Sequence, residues 1–168
     1  MKLIKSSFEI LEQAPEIQGV KKQIEHAGRT CYKSEDKITD TSCEEFVNRM
    51  IKSGHGAMLE HGTVYLNIPC KLSYNDYGDI EWVVTKGHVS YEDYEENKYT
   101  KLNLVKQHRY AVEANLYVTT NYRVIVENEW LSDLQYQCEP TDHHEKRITV
   151  KFICDRVTGE SFLRHRAM

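Results

Sequence analysis

The 168-residue sequence lacks any apolar run long enough to form a membrane-spanning helix. Such a helix needs roughly 20 predominantly apolar residues in succession, and no segment approaches that length. Residues 1–5 also lack the apolar stretch and the small-residue cleavage site that are typical of a secretory signal peptide. We therefore expect a cytoplasmic protein that has no membrane partner.

Cysteine pairs and an excess of positive charge are also missing. The five cysteines are odd in number and show no Cys-x-x-Cys spacing, which favours reduced thiols over a disulfide framework. The 22 basic and 26 acidic residues leave a net charge of −4, which provides no general attraction to nucleic acid. Apolar residues make up 40% of the chain and no repeat or linker divides it, so we expect one globular domain over residues 1–168.

Apolar residues at helical spacing predict two helices in the first third of the chain. The stripe over residues 17–27 predicts a first helix that ends at Gly28. A second helix is predicted over residues 41–53, with a capping box at its start and Gly54 at its end.

The rest of the sequence predicts strands interleaved with helices. Residues 71–107 are polar and tyrosine-rich, which is typical of a mobile excursion that carries a short hairpin. Thr119 or Thr120 is the predicted cap of a helix that reaches Leu134, and Asp155 is the predicted cap of a last helix. Alternating residues predict strands over 2–12, 61–69, 109–119 and 148–154. The mixture predicts an α+β fold with a mostly antiparallel sheet packed with helices.

A histidine-rich turn, His55-Gly56-Ala57-Met58-Leu59-Glu60-His61, is the first candidate for chemistry. A histidine beside glycine in a turn can direct its ring at a ligand, and Glu60 can fix the tautomer of His61. The alternative is a polar turn in which the histidines are incidental.

A second candidate is Arg164-His165-Arg166 at the end of the last predicted helix. Arginine presents a planar fork of donors that matches phosphate oxygens, and histidine adds a donor and a flat ring. The alternative is a basic last turn that complements the helix dipole, with Glu160 and Arg164 paired.

Together these motifs resemble the flavin-dependent thymidylate synthases. That family has an Arg-His-Arg signature and, upstream, a His-x-Ser/Thr-x-x-Glu-His turn that leads into a strand. Arg164-His165-Arg166 matches the first, the turn from His55 to His61 matches the second, and Ala27-Gly28-Arg29-Thr30-Cys31-Tyr32 is similar to the family's first helix-to-loop junction. The resemblance implies flavin adenine dinucleotide (FAD) as cofactor, with NADPH and methylenetetrahydrofolate as co-substrates in the methylation of dUMP to dTMP.

The resemblance also implies roles for individual residues. His55 and Arg164 are the expected catalytic residues, with His55 beside the flavin and Arg164 between flavin and dUMP. The expected FAD-binding set is His55, Ala57, Arg164, His165 and Arg166, and the expected dUMP-binding set is Ser161, Phe162, Leu163 and Arg164.

Several features depart from the family pattern. Ala57 stands where a hydroxyl residue is usual, and Cys31 where a serine is usual. Residues 62–147 resemble an insertion found in only a subset of the family. The chain ends shortly after Arg166, so the resemblance implies the N-terminal portion of an insertion-bearing member, truncated at its C-terminus. We expect little turnover from these residues and an assembly no larger than the family's homotetramer.

Two alternatives to an active enzyme remain open. One is a nonenzymatic remnant that binds FAD or a nucleotide without turnover. The other is a zinc-binding module, whose ligands would come from Cys138, His143, His144 and His108.

Overall fold

A computed structural model of the chain describes residues 5–74, 80–84, 94–106 and 113–164. Contacts group the chain into two compact units. The larger unit is Gln13–Lys146, and the smaller unit combines the segment up to Glu12 with the segment from Arg147 onward.

The larger unit packs helices against an antiparallel sheet. Its helices α1 to α4 are Glu16–Cys31, Ser42–Lys52, Gly56–Leu59 and Tyr122–Glu127. Its strands β2 to β5 are Thr63–Tyr74, Ile80–Val84, Lys101–Lys106 and Glu113–Asn121. The strand order is β3-β2-β5-β4, and all three neighbouring pairs run antiparallel. The predicted α+β class with antiparallel strands is therefore confirmed.

Strand β2 supplies one side of the main core. Its alternating residues Val64, Leu66 and Ile68 are fully buried, as predicted, and they join a cluster with Val20 and Phe46 from the helices. Burial of each such side chain contributes about 1.5–3 kcal/mol, so this alternation fixes which face of the sheet meets the helices.

Helix α1 does not end at Gly28, contrary to the prediction, but continues to Cys31. Gly28 lies inside the helix and packs against the ring of Phe46 from α2. The glycine is thus explained by close helix packing rather than by a helix end.

The capping box predicted at the start of α2 is also not formed. Thr41 is the residue before the helix, and its side chain makes no capping hydrogen bond. The hydroxyl of Ser42 instead donates to the carboxylate of Glu25 at 2.9 Å and accepts from the backbone N–H of Thr39 at 2.8 Å. The hydroxyl of Ser42 therefore bonds to Glu25 of α1 instead of capping its own helix.

Strand β2 runs through Pro69, where the sequence predicted its end. Strand β5 pairs with β2 along one side, whereas β3 pairs with it on the other side only from Cys70 onward. Proline is tolerated in a strand beside an edge that needs no N–H donor.

The segment predicted to be a mobile excursion is partly built into the fold. In its described part, Tyr94 and Thr100 are buried and β4 forms an edge of the sheet. The rest of that segment lies outside the described residues, apart from the end of β2 and β3. The strand predicted over residues 109–119 is found as β5, and residues 109–112 lie outside the described part of the chain.

The helix predicted to reach Leu134 is interrupted. Asn121, not Thr119 or Thr120, caps α4, because its side chain accepts from the N–H of Val124 at 3.0 Å. Glu129 then adopts a left-handed conformation with φ of 61°, and a 3₁₀ segment, Trp130–Tyr136, follows. A left-handed residue cannot continue an α-helix, so the element divides there.

The smaller unit contains strands β1 and β6 and helix α5, which are Ser7–Leu11, Thr149–Ile153 and Arg156–Arg164. The strands pair antiparallel, with Phe8 opposite Phe152. Asp155 caps α5 as predicted, because its carboxylate accepts from the N–H of Thr158 at 3.0 Å and from its hydroxyl at 2.7 Å.

Candidate functional site

The end of helix α2 holds His55 in place. Gly54 has φ of 69°, which glycine adopts without strain. The N–H of Gly54 donates to the carbonyl of Ile51 at 3.1 Å, and the N–H of His55 donates to the carbonyl of Met50 at 3.0 Å. This pair of bonds is a Schellman motif, which ties the backbone of His55 to a helix whose Met50 is buried in the core.

Tyr32, at the end of α1, meets His55 across the surface. The hydroxyl of Tyr32 and Nδ1 of His55 share a hydrogen bond of 3.0 Å. The two rings are stacked with centroids 6.4 Å apart and planes 28° apart, and both side chains are exposed. The pair presents neighbouring flat rings to solvent, an arrangement suited to a planar aromatic ligand.

A buried ion pair supports the C-terminal end of α1. Arg29 donates from Nε to the carboxylate of Glu25 at 3.1 Å, and only 1% of Glu25 is exposed. The guanidinium of Arg29 also lies over the ring of Phe46, 4.9 Å from its centroid. Arg29 is therefore engaged inside the fold, and its role there is to fix the helix that carries Tyr32.

Arg123 of α4 fastens the other end of the histidine-rich turn. It donates to Glu60 and to Glu127, each at 2.6 Å. The hydrogen bond to Glu127 raises the pKa of Arg123 above its usual value, and the hydrogen bond to Glu60 is the next largest cause of this increase. A Cβ at Gly56 would lie 3.0 Å from Nε of Arg123, so the glycine lets this side chain pass close to the turn.

The remaining residues of the turn have different surroundings. Ala57 is exposed on the short helix α3 and brings no hydroxyl to the surface. Desolvation lowers the pKa of His61, although much of the residue stays accessible to water, and the charge of Glu60 opposes the decrease. Glu60 therefore influences His61 electrostatically while its carboxylate is bonded to Arg123.

The residues expected to bind dUMP lie in the smaller unit. The hydroxyl of Ser161 donates to the backbone carbonyl of Val157 at 3.2 Å. The ring of Phe162 stacks on Phe152 with centroids 4.9 Å apart. Both side chains thus already have intramolecular partners.

The arginine signature is only partly described. Leu163 and Arg164 belong to α5 by their backbone, whereas their side chains, His165 and Arg166 lie outside the described part of the chain. Glu160 accepts from Nε of Arg156 at 2.8 Å, a partner that the sequence interpretation did not foresee. A shared surface for His55 and Arg164 stays a prediction, because the two residues belong to different units.

The proposed zinc ligands do not form a complete site within the described residues, where no group of three or more His, Cys, Asp and Glu side chains is suitably placed. Sγ of Cys138 lies 3.9 Å from Nε2 of His144, but both nitrogens of this ring are engaged. Nε2 is bonded to the carbonyl of Leu66 at 3.0 Å, and Nδ1 accepts from the N–H of Thr141 at 3.1 Å. His108 lies outside the described residues.

Residue types and spacing identified His55 and Tyr32 as members of motifs, but they did not reveal that the two side chains meet. The sequence separates them by 23 positions, and no local pattern links them. The ion pair of Arg123 with Glu60 was missed for the same reason, because these residues are 63 positions apart.

Comparisons with protein-family models, with curated proteins and with solved structures returned no match. None of the helices in the described ranges has the length and apolar character needed to cross a membrane. All five cysteines are free thiols.

Proposed function

We propose that this chain binds FAD at the surface formed by Tyr32 and His55 and contributes to the flavin-dependent methylation of dUMP to dTMP. The observation that carries the proposal is the 3.0 Å hydrogen bond between these two residues. Tyr32 comes from one motif of the family resemblance and His55 from another, so two separate sequence motifs contribute to one exposed surface.

The residues of this surface suit a flat, polar ring system. Two stacked, exposed rings offer contact area to an isoalloxazine, and the imidazole adds a hydrogen-bonding nitrogen at its edge. Ala57 offers no hydroxyl, so a hydrogen bond near this position would have to come from the backbone. When bound, FAD would accept hydride from NADPH and supply the reducing equivalents for methyl transfer.

The chain's own residues would orient the cofactor rather than carry out covalent chemistry. The Schellman motif fixes the backbone of His55, and the Glu25–Arg29 pair fixes the helix that Tyr32 directly follows. Such support matters because a displacement of about 1 Å at a reacting centre can reduce a rate on the order of a hundredfold. Cytoplasmic location and a homotetramer are part of the same proposal.

FAD titration of the purified chain, followed by flavin fluorescence and visible absorbance, tests the proposal. We expect saturable binding to the wild type and binding at least tenfold weaker in His55→Ala. His143→Ala is the matched control, because it also removes an exposed histidine ring but from a different surface. Absence of flavin binding to the wild type, or equal losses in the two variants, would contradict the proposed site.

Release of tritium from labelled dUMP distinguishes an enzyme from a binding module. The assay contains FAD, NADPH and methylenetetrahydrofolate, and each is omitted in turn. Release that depends on all three supports the synthase reaction. Saturable flavin binding with no release would favour the nonenzymatic flavin-binding module.

A further inference from the structure

A second candidate site lies on the face of the sheet opposite to the residues that pack in the core. A cavity of about 290 Å³ opens between the paired strands β4 and β5 on one side and the turn at residues 142–145 on the other. Lys101 is paired with Thr119 and Asn103 with Tyr117 across the two strands. Directly paired residues of antiparallel strands point to the same side, so these four side chains form one floor, here called the β4–β5 groove.

Thr119 gives this groove a polar base. The residue is fully buried, lines the cavity, and its Oγ1 has no hydrogen-bond partner among the described residues. Thr120, the next residue of the same strand, is equally buried but shares a 2.9 Å hydrogen bond with Thr100. Buried hydroxyls are normally hydrogen-bonded, so the difference points to a ligand for Thr119.

The turn beside the groove is held in a fixed position. Nδ2 of Asn103 donates to the backbone carbonyl of His143 at 2.8 Å. The ring of His143 lies against Tyr117, with centroids 4.8 Å apart, and the neighbouring His144 is buried. The groove is therefore formed before any ligand binds, which reduces the entropy lost on binding.

The charges around the groove are predominantly negative. Its rim carries Glu96, Asp142 and Glu145. Among the described residues Lys101 lies beside Glu96 and Lys146 bonds to Asp142 at 3.0 Å, which leaves Glu145 without an ion pair. Lys101 lies 3.7 Å from Glu96 and neutralises it incompletely. A cation entering the groove would meet rim carboxylates, the part of the Tyr117 ring that His143 and His144 leave uncovered, and the hydroxyl oxygen at its base.

We propose that the β4–β5 groove binds a small organic cation with primary ammonium groups. The ammonium donates to Oγ1 of Thr119, the rim carboxylates attract the cation, and its methylene groups pack on Tyr117. This site is independent of the proposed flavin surface, since none of its residues belongs to the motifs of the family resemblance.

A matched set of four-carbon probes tests the charge preference. Putrescine, 1,4-butanediol and succinate share a chain length but carry positive, zero and negative charge. We expect putrescine alone to shift the backbone amide NMR signals of Asn103, Tyr117 and Thr119 saturably, with affinity that decreases as salt is added. Binding of succinate at these residues, or no binding of any probe, would overturn the proposal.

Two threonine variants locate the ammonium. Thr119→Val removes the hydroxyl while keeping a β-branched side chain, and Thr120→Val does the same at the adjacent position facing the other way. We expect putrescine affinity to decrease about tenfold in the first and to stay unchanged in the second. Equal affinities in both variants would place the cation elsewhere and refute the assignment of Thr119.

Neutralising the rim provides a test that leaves the buried floor intact. The double variant Glu96→Gln with Glu145→Gln changes exposed residues only. We expect putrescine binding to weaken and its salt dependence to become shallower. An unchanged affinity and salt dependence would show that the rim charges do not select the ligand.

Discussion

Gly28 of helix α1 lies against the ring of Phe46 on α2, so closely that a Cβ on Gly28 would be 2.4 Å from Cζ of Phe46. Phe46 is 1% exposed, and its ring is enclosed in the core cluster. The two helices therefore approach each other at a point where only glycine fits.

Gly28→Ala should destabilise the larger unit. Alanine gains up to about 1 kcal/mol in helix propensity, but the clash with a buried ring costs about 1–3 kcal/mol. Urea unfolding measures the difference. Gly159→Ala in α5 is the matched control, because its Cβ would lie 3.8 Å from Sγ of Cys154, an ordinary contact. A stabilised Gly28→Ala protein would contradict the described packing.

The buried pair of Glu25 and Arg29 should be needed as a pair. Arg29→Met leaves a buried carboxylate with Ser42 as its remaining described partner, and the loss should be about 3–5 kcal/mol. Glu25→Met with Arg29→Met removes both charges and should recover much of the stability. The free energies of unfolding of both single variants and of the double variant, each compared with the wild type, form a double-mutant cycle that measures the coupling of the two side chains. Additive losses would show that the two side chains are not coupled.

Acidification should weaken the fold through His144. Desolvation lowers the pKa of His144; the bond to the Leu66 carbonyl opposes the decrease, and the charge of His143 adds to it. The unfolded chain therefore takes up this proton first as pH falls below about 6.5. The free energy of unfolding should decrease from there until the lower folded pKa is passed, and then level off.

His144→Gln tests this pH dependence, because glutamine keeps a donor but does not titrate. Urea unfolding between pH 7.5 and 5 should show a shallower decline in the variant than in the wild type. His61 contributes in the same direction, since desolvation also lowers its pKa, so His61→Gln is measured in parallel. Identical pH profiles for wild type and His144→Gln would rule out His144 as a source.

Gly54 should be needed to place His55. Its φ of 69° is unfavourable for alanine by roughly 1–2 kcal/mol, whereas asparagine tolerates this conformation better. Gly54→Ala should therefore lower the melting temperature more than Gly54→Asn. Circular dichroism at the same protein concentration compares them, and equal melting temperatures would contradict a strained position.

Some local patterns in the sequence predicted local structure correctly. The alternation around Leu66 and the cap at Asp155 were confirmed, because each depends on neighbours within a few positions. The interruption at Glu129 was missed, although Asn128 directly before it is a turn-forming residue whose side chain donates to the carbonyl of Val124 at 2.9 Å.

Features that depend on distant partners were not predictable from spacing. Gly28 has the same local signature whether it ends a helix or admits a ring, and the ring belongs to another helix. Ser42 matched a capping box but bonds Glu25 instead, because packing of α1 against α2 brings that carboxylate closer. The contact of Tyr32 with His55 likewise arises only once both helices are packed.

The pairing of β1 with β6 has a consequence for how the protein forms during synthesis. Ser7 leaves the ribosome before the larger unit does, and its partner Ile153 follows only after the whole larger unit has been translated. Contacts between such distant segments carry a large loop-closure entropy until the intervening chain is compact. Strand β1 therefore waits unpaired while the larger unit folds, and the smaller unit should be the last part to acquire protection in pulse-labelled hydrogen exchange.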